Sequence, residues 1–202
     1  MIKVILFDCD GPVIKREKYF SQRLLDLGMK LDVQKIQDFF HNEFLLCETG
    51  NADLKQELAG RIKEWGWQKS LDELLDFWFD GEAEVDQLMK KYIEDLRQKG
   101  IKCYLATNNE KYRTEYLANV VGLKDFLDGI FSSCYLGYMK PQIEYWEEAY
   151  KSLSDVHKNE VLLIDNLDLA VKSAREFGFN AEHYENFEGF KKIMEEKYQL
   201  NF

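Results

Sequence analysis

ILFDCDGPVI, residues 5–14, is an apolar run that stops at two aspartates, Asp8 and Asp10, with one residue between them and Gly11 and Pro12 behind. In a strand, two residues advance the chain by about 6.6 Å and return the side chain to the same face. Asp8 and Asp10 therefore share a face, and Cys9 turns the other way, toward packing. A lone aspartate here could cap a turn. A pair of like charges at the end of a buried run needs a cation or a shared proton, and so argues for a site. Ligands of open α/β sheets bind at such strand ends. Gly11 suits a turn out of the sheet. Pro12 fixes φ near about −65° and removes a donor, so a restrained exit is expected, not a helix running on through it.

The same kind of run recurs along the chain. After KVILFD (3–8) come IKCYLAT (101–107), a weaker GIFSSCYL (129–136), VLLID (161–165) and AEHY (181–184). Near-continuous apolar runs with polar boundaries predict strands buried on both faces, as in a parallel sheet. Between them lie amphipathic helices. Val85, Leu88, Met89, Tyr92, Ile93 and Leu96 keep helical spacing, and Gly100 stops them. Tyr112, Tyr116 and Val120 form a second stripe ending at Gly122, and Ala170, Ala174 and Phe177 a third ending at Gly178. Phe187, Phe190 and Met194 predict a final helix.

The expected fold is α/β: a Rossmann-like, doubly wound parallel sheet. One stretch departs from it. Residues 15–84 contain no strand pattern but four helical ones, near 16–27, 33–46, 53–65 and 71–79. The expected organisation is an α/β core of residues 1–14 and 85–202 with an all-helical domain, 15–84, inserted; the polar DGEAEVD, 80–86, reads as the return linker.

Composition limits the function classes. The 202 residues are 46% hydrophobic and carry a formal charge of −10, which disfavours nucleic acid and anionic membrane as partners. The four cysteines lack zinc-finger or CxxC spacing, and reduced, buried thiols are expected. The N-terminal run is too short for a signal-peptide core, and nothing approaches the ~20 residues of a membrane span, so a cytoplasmic protein is expected.

The other strand ends also carry polar groups. Ala106-Thr107-Asn108-Asn109 offers a hydroxyl and backbone N–H groups to an anion, although Thr107 or Asn108 could simply cap the next helix. Asp165-Asn166-Leu167-Asp168 repeats the pattern of a carboxylate directly after apolar residues. Lys140-Pro141 sits in a loop before a helix beginning near Gln142.

Taken in order, FDCDG, LATNN, MKP and IDNLD resemble the four motifs of the haloacid dehalogenase superfamily. A helical insert just after the first motif resembles its helical-cap (subfamily I) members, and CETGNADL (47–54) looks like cap sequence of that group. The resemblance implies a Mg²⁺-dependent phosphatase acting on a small phosphorylated metabolite, such as a sugar phosphate. It makes Asp8 the nucleophile that forms an aspartyl-phosphate and Asp10 the proton carrier. Thr107, Asn108 and Lys140 would bind the phosphoryl group. Mg²⁺ would sit between Asp8, the Asp10 carbonyl and Asp165. Hydrolytic dehalogenases of the superfamily lack the second aspartate, so Asp10 argues for phosphate chemistry. The second acid common in the fourth motif is replaced by Asn166, for which Asp168 could partly substitute; weakened metal binding is expected. A phosphomutase using the same groups, and a catalytically weak binding or regulatory protein, are the alternatives. Lys15, Arg16, Lys18, Arg23, His41, Glu43, Glu48 and Arg61 are candidates for leaving-group contacts from the insert, whereas Phe39, Phe40, Phe44, Trp65 and Trp78 read as its core.

Overall fold

A computed structural model describes residues 1–28 and 30–200; residues 29, 201 and 202, which fall inside the expected domain spans, lie outside the described residues. Five strands form one parallel sheet: β1 (Val4–Phe7), β4 (Lys102–Thr107), β5 (Gly129–Ser132), β6 (Val161–Asp165) and β7 (Asn180–His183), in the order β5-β4-β1-β6-β7. The registers Phe7↔Leu105 and Phe7↔Ile164 bring the ends of β1, β4 and β6 side by side. The chain leaves β1 for strands on both of its sides, and that reversal opens a crevice beyond the strand ends.

The continuous apolar runs are explained by burial on two faces. Ile5, Phe7 and Cys9 pack in one cluster with Met89, Ile93 and Leu96 of α6 (Gln87–Gln98) and with Phe190 and Met194 of α12 (Phe187–Tyr198). Val4 and Leu6 pack in the other with Tyr145 and Trp146 of α10 (Ile143–Lys151) and Ala170 and Ala174 of α11 (Asp168–Phe177). Asp8 continues the Val4–Leu6 side and Cys9 the opposite one, as the alternation requires.

Two predicted elements change. GIFSSCYL divides after Ser132, and Ser133–Leu136 forms a short helix, α9. On α7 (Lys111–Asn119), the Tyr112–Tyr116 stripe faces the inserted helices: Tyr112 donates to Asp53 at 2.7 Å and the Tyr116 ring meets Phe79. Val120 and Leu88 of the predicted stripes are exposed. Residues there satisfied a helical period without facing the sheet, because period alone does not say which neighbour a face meets.

Past β1 the chain turns. Val13 and Ile14 both donate to the Cys9 carbonyl, Gly11 has φ +109°, and Ile14–Lys15 (β2) pairs with Glu84–Val85 (β3). Pro12 thus lies in a turn, and the exit and return of the insert form one two-stranded ribbon. Between these strands lie α1 (Phe20–Asp26), α2 (Val33–His41), α3 (Glu43–Glu48), α4 (Leu54–Ala59) and α5 (Leu71–Asp80). They share a separate cluster built on Phe20, Phe39, Trp65, Trp67, Trp78 and Phe79. The predicted helix over 33–46 breaks at Asn42, and that over 53–65 ends at Gly60. Among the described residues no helix is long and apolar enough to cross a membrane, and all four cysteines are free thiols.

Candidate active site

Lys140 reaches from the loop before α10 into the crevice and is almost completely buried. Its ammonium donates to Asp8 Oδ1 at 2.7 Å, Asp165 Oδ2 at 2.6 Å and the Ala106 carbonyl at 2.8 Å. An ammonium has three donors, so all are used within the protein. The surrounding carboxylates hold it firmly protonated despite its burial. Burial pushes the Asp8 carboxyl up to about 6, with Lys140 pulling it down and Asp165 adding to the rise. Among the described residues no group donates to Asp8 Oδ2, which leaves one oxygen of that carboxylate open to the crevice.

The two carboxylates of the pair meet different side-chain cations, Lys140 at Asp8 and Arg113 at Asp10. The Asp10 carboxylate turns to Arg113 of α7, whose guanidinium grips it in a fork: Nη2 to Oδ1 at 2.6 Å and Nη1 to Oδ2 at 3.0 Å. Arg16 lies 3.4 Å from Oδ2. Burial works to raise this carboxyl, yet Arg113, with Arg16 and Lys140, holds it below the usual carboxylate range. Asp10 is therefore ionised in this conformation.

The β4 end supplies an anion cradle. Thr107 is buried and its hydroxyl accepts from Asn109 Nδ2 at 2.6 Å, leaving its own proton to donate. Among the described residues nothing accepts from the backbone N–H groups of Cys9, Asp10 or Asn108. Such clustered free amides favour an anion. The Asn108 side chain does something else: it clasps the Lys140 backbone, donating to its carbonyl at 3.0 Å and accepting from its N–H at 2.8 Å. Neither Thr107 nor Asn108 caps α7; Glu110 does, accepting from Tyr112 and Arg113 N–H, and burial pushes its carboxyl up to about 7.

Asp165 Oδ1 accepts from Leu167 N–H at 2.8 Å, which fixes the carboxylate as the chain leaves β6. Asn166 donates its amide to the Asp10 carbonyl at 2.9 Å. Gly11 is required by its φ of +109°, and a Cβ there, 2.6 Å from Asn166 Nδ2, would also push that amide off the Asp10 carbonyl. Asp168 does not join the cluster: its carboxylate is exposed and lies 2.8 Å from His183 Nδ1. Asp8, Asp165 and the Asp10 carbonyl remain as hard oxygen donors. They fit Mg²⁺, which completes its shell with waters and substrate oxygens. The carbonyl has two lone pairs and Asn166 uses only one.

A cavity of ≈ 400 Å³ opens over Asp8, Thr107, Asn108, Lys140, Asp165 and Asn166. It shares Asp10, Arg16, Tyr19 and Asn108 with a second cavity of ≈ 440 Å³ that runs beneath the inserted helices. Of the residues singled out in the insert, Arg16, His41 and Glu48 line this second cavity. Lys15 and Lys18 pair with Asp86 and Asp26, Arg23 holds backbone carbonyls of Phe77 and Trp78, and Glu43 and Arg61 pair with each other. Phe40, Phe44 and Trp78, read as core, also form its wall.

Sequence reasoning missed Arg113, Asn109, Glu82 and Glu110. Glu82, taken as linker, is buried; it accepts from Phe20 N–H at 2.9 Å and lies 3.5 Å from Arg113. One signal was present: Asn109 and Arg113 are spaced i, i+4 at the helix start beyond a candidate strand end.

A family description of haloacid dehalogenase-like hydrolases matches residues 2–178, and the chain belongs to that family of hydrolase enzymes. No curated protein matches it. Among solved structures, it is similar to a HAD-like family hydrolase from Porphyromonas gingivalis, with 22% identity and a TM-score of 0.76 over 98% of this chain and 100% of that one. It is also similar to a HAD family enzyme from Bacteroides thetaiotaomicron in complex with magnesium and inorganic phosphate: 20% identity, TM-score 0.75, over 94% and 99%. The L-2-haloacid dehalogenase from Xanthobacter autotrophicus follows at 19% identity and TM-score 0.63, over 91% and 77%. At these identities the likeness is one of fold, and the chemistry must be argued from the residues.

Proposed function

We propose that this hydrolase is a Mg²⁺-dependent phosphatase of small phosphomonoesters, with residues 15–84 capping a core of 1–14 and 85–202. The observation that carries this reading is the convergence of an open Asp8 oxygen, Asp165, the Thr107 hydroxyl and the residues of two free backbone N–H groups, Asp10 and Asn108, on one cavity. The magnesium- and phosphate-bound Bacteroides enzyme of the same fold supports it.

The Asp8 oxygen attacks phosphorus as the bond to the leaving oxygen breaks, and that oxygen takes a proton from Asp10. Asp10, then ionised, accepts a proton from water, whose oxygen attacks phosphorus and releases inorganic phosphate and Asp8. Thr107 and the amides of Cys9, Asp10 and Asn108 hold the phosphoryl oxygens, and Asn108 keeps the Lys140 loop in place. Magnesium, when bound by Asp8, Asp165 and the Asp10 carbonyl, supplies charge neutralisation. In the present conformation Asp10 is the base of the second half-reaction, because Arg113 keeps it ionised. Its acid role requires that it leave the Arg113 fork, and Arg113 is thus its positioning residue.

The test is phosphate release from an aryl phosphate, with and without Mg²⁺, by wild type and Asp8→Asn. Mg²⁺-dependent release that falls on the order of 10³-fold or more in Asp8→Asn is expected. Absence of release at high enzyme concentration across pH would refute the phosphatase reading; undiminished release by Asp8→Asn would refute the nucleophile. The weak-binding alternative draws on Asn166 at the Asp10 carbonyl and would show Mg²⁺ and phosphate binding without turnover.

A further inference from the structure

The second cavity differs in chemistry from the anion cradle it adjoins. Phe20, Phe40, Phe44 and Trp78 make its wall, Tyr19 stands at its rim, and Glu48 reaches it from the end of α3. The other charges in this chamber offset one another. Arg113 holds Asp10 and lies 3.5 Å from Glu82, and Arg16 lies between the same two carboxylates. Glu48 is left over. It has no hydrogen-bond or ion-pair partner among the described residues, although Arg16, Arg113 and His41 line the same cavity. Burial lifts its carboxyl to about 7, against the pull of Arg113.

A half-buried carboxylate on an aromatic wall is unfavourable alone and is relieved by a cation. Aromatic faces carry negative potential and attract cations to the same place. The phosphate end of a substrate is accounted for at the strand ends, where the free amides and hydroxyl lie. The far end therefore meets aromatic side chains and one unpaired carboxyl, which a bound cation would hold ionised.

We infer that the chamber binds a leaving group carrying an ammonium nitrogen, so that the substrate is the phosphomonoester of an amino alcohol and Glu48 is its specificity-determining residue. This rests on the phosphatase reading. A neutral polyol could use the same walls through its hydroxyls, so the decisive variable is charge at constant shape.

The experiment compares phosphocholine with its uncharged isostere 3,3-dimethylbutyl phosphate, and phosphoethanolamine with propyl phosphate, with glycerol 1-phosphate as the polyol. Wild type with Mg²⁺ is expected to favour the charged member of at least one pair, and that member over the polyol, by about tenfold or more in kcat/KM. Glu48→Gln is expected to bring that ratio within about threefold of unity. No charge preference in either pair, a polyol preferred to both ammonium esters, or a ratio untouched by Glu48→Gln would overturn the inference. If Glu48→Gln does not fold, the wild-type ratios decide. If no ester and no aryl phosphate is hydrolysed, the phosphatase reading fails by itself. Calorimetric binding of the same pairs to the Mg²⁺-loaded protein then decides the chamber: a charge preference supports it and equal affinities overturn it.

Discussion

The strand-end crevice and the inserted helices fill buried space in opposite ways. In the crevice, Asp8, Asp10 and Asp165 are matched by Lys140 and Arg113 at 2.6–3.0 Å. In the insert, rings fill the space: Phe39 meets Phe40, Phe44 and Trp65 with centroids 5.3–6.0 Å apart. The ionic cluster is expensive to bury and repays it only with every partner present. Its stability is therefore conditional on pH. The aromatic cluster loses stability in proportion to what is removed, and conditions matter less. The difference teaches that the crevice is built to change charge state and the insert to hold shape.

After loss of the nucleophile itself, the largest expected effect lies at the join. Arg113→Met is expected to lower kcat on the order of 10²-fold. It also frees Asp10 from the guanidinium, so burial raises its carboxyl and the ascending acid limb of the pH–kcat profile moves to higher pH. A uniform loss with an unmoved limb would reduce Arg113 to a structural residue.

A paired measurement breaks or sharpens the contrast itself. Without Mg²⁺, Lys140→Met leaves Asp8 and Asp165 facing each other and is expected to cost about 3–5 kcal/mol in denaturant unfolding at pH 8. The cost should shrink as pH falls toward about 6, because loss of Lys140 raises the Asp8 carboxyl further and lets it take up a proton in the variant before it does in wild type. Phe39→Ala is expected to cost about 3–5 kcal/mol at either pH. Its hydrogen exchange should rise over residues 20–80 while β1, β4 and β6 stay protected. Equal pH dependence in the two variants would abolish the distinction.

The smallest effect comes from Glu110, buried where α7 begins, with its carboxyl at about 7. A carboxyl raised by folding binds its proton more tightly in the native state, so its contribution is present at low pH and lost as pH rises from about 4.5 to about 7. Glu110→Ser keeps a capping oxygen but cannot titrate. Its stability should fall less than that of wild type over this interval, by on the order of 1–3 kcal/mol. Parallel curves would contradict the assignment.

The sheet and most residues of the candidate site were legible because their signals are local. An apolar run ending in a polar residue marks both a strand and its end, so Asp8, Thr107 and Asp165 could be gathered from three separate places, and Lys140, in a loop, joined them only through the resemblance of the motifs. Asp168 misled because position after a strand does not fix where a side chain points. Tyr112 and Tyr116 misled because a helix stripe fits either neighbour.

By itself the sequence determined the parallel core, the helical interruption between Ile14 and Glu84, and the acidic pair at the end of β1, since each follows from periodicity and charge along the chain. Only the tertiary structure decided how those charges are shared. Asp8 goes to Lys140, Asp10 goes to Arg113, Asn166 goes to the Asp10 carbonyl, and Glu48 is left facing aromatic rings. Pairing energy depends on distance and desolvation in space, and no spacing along the sequence encodes either.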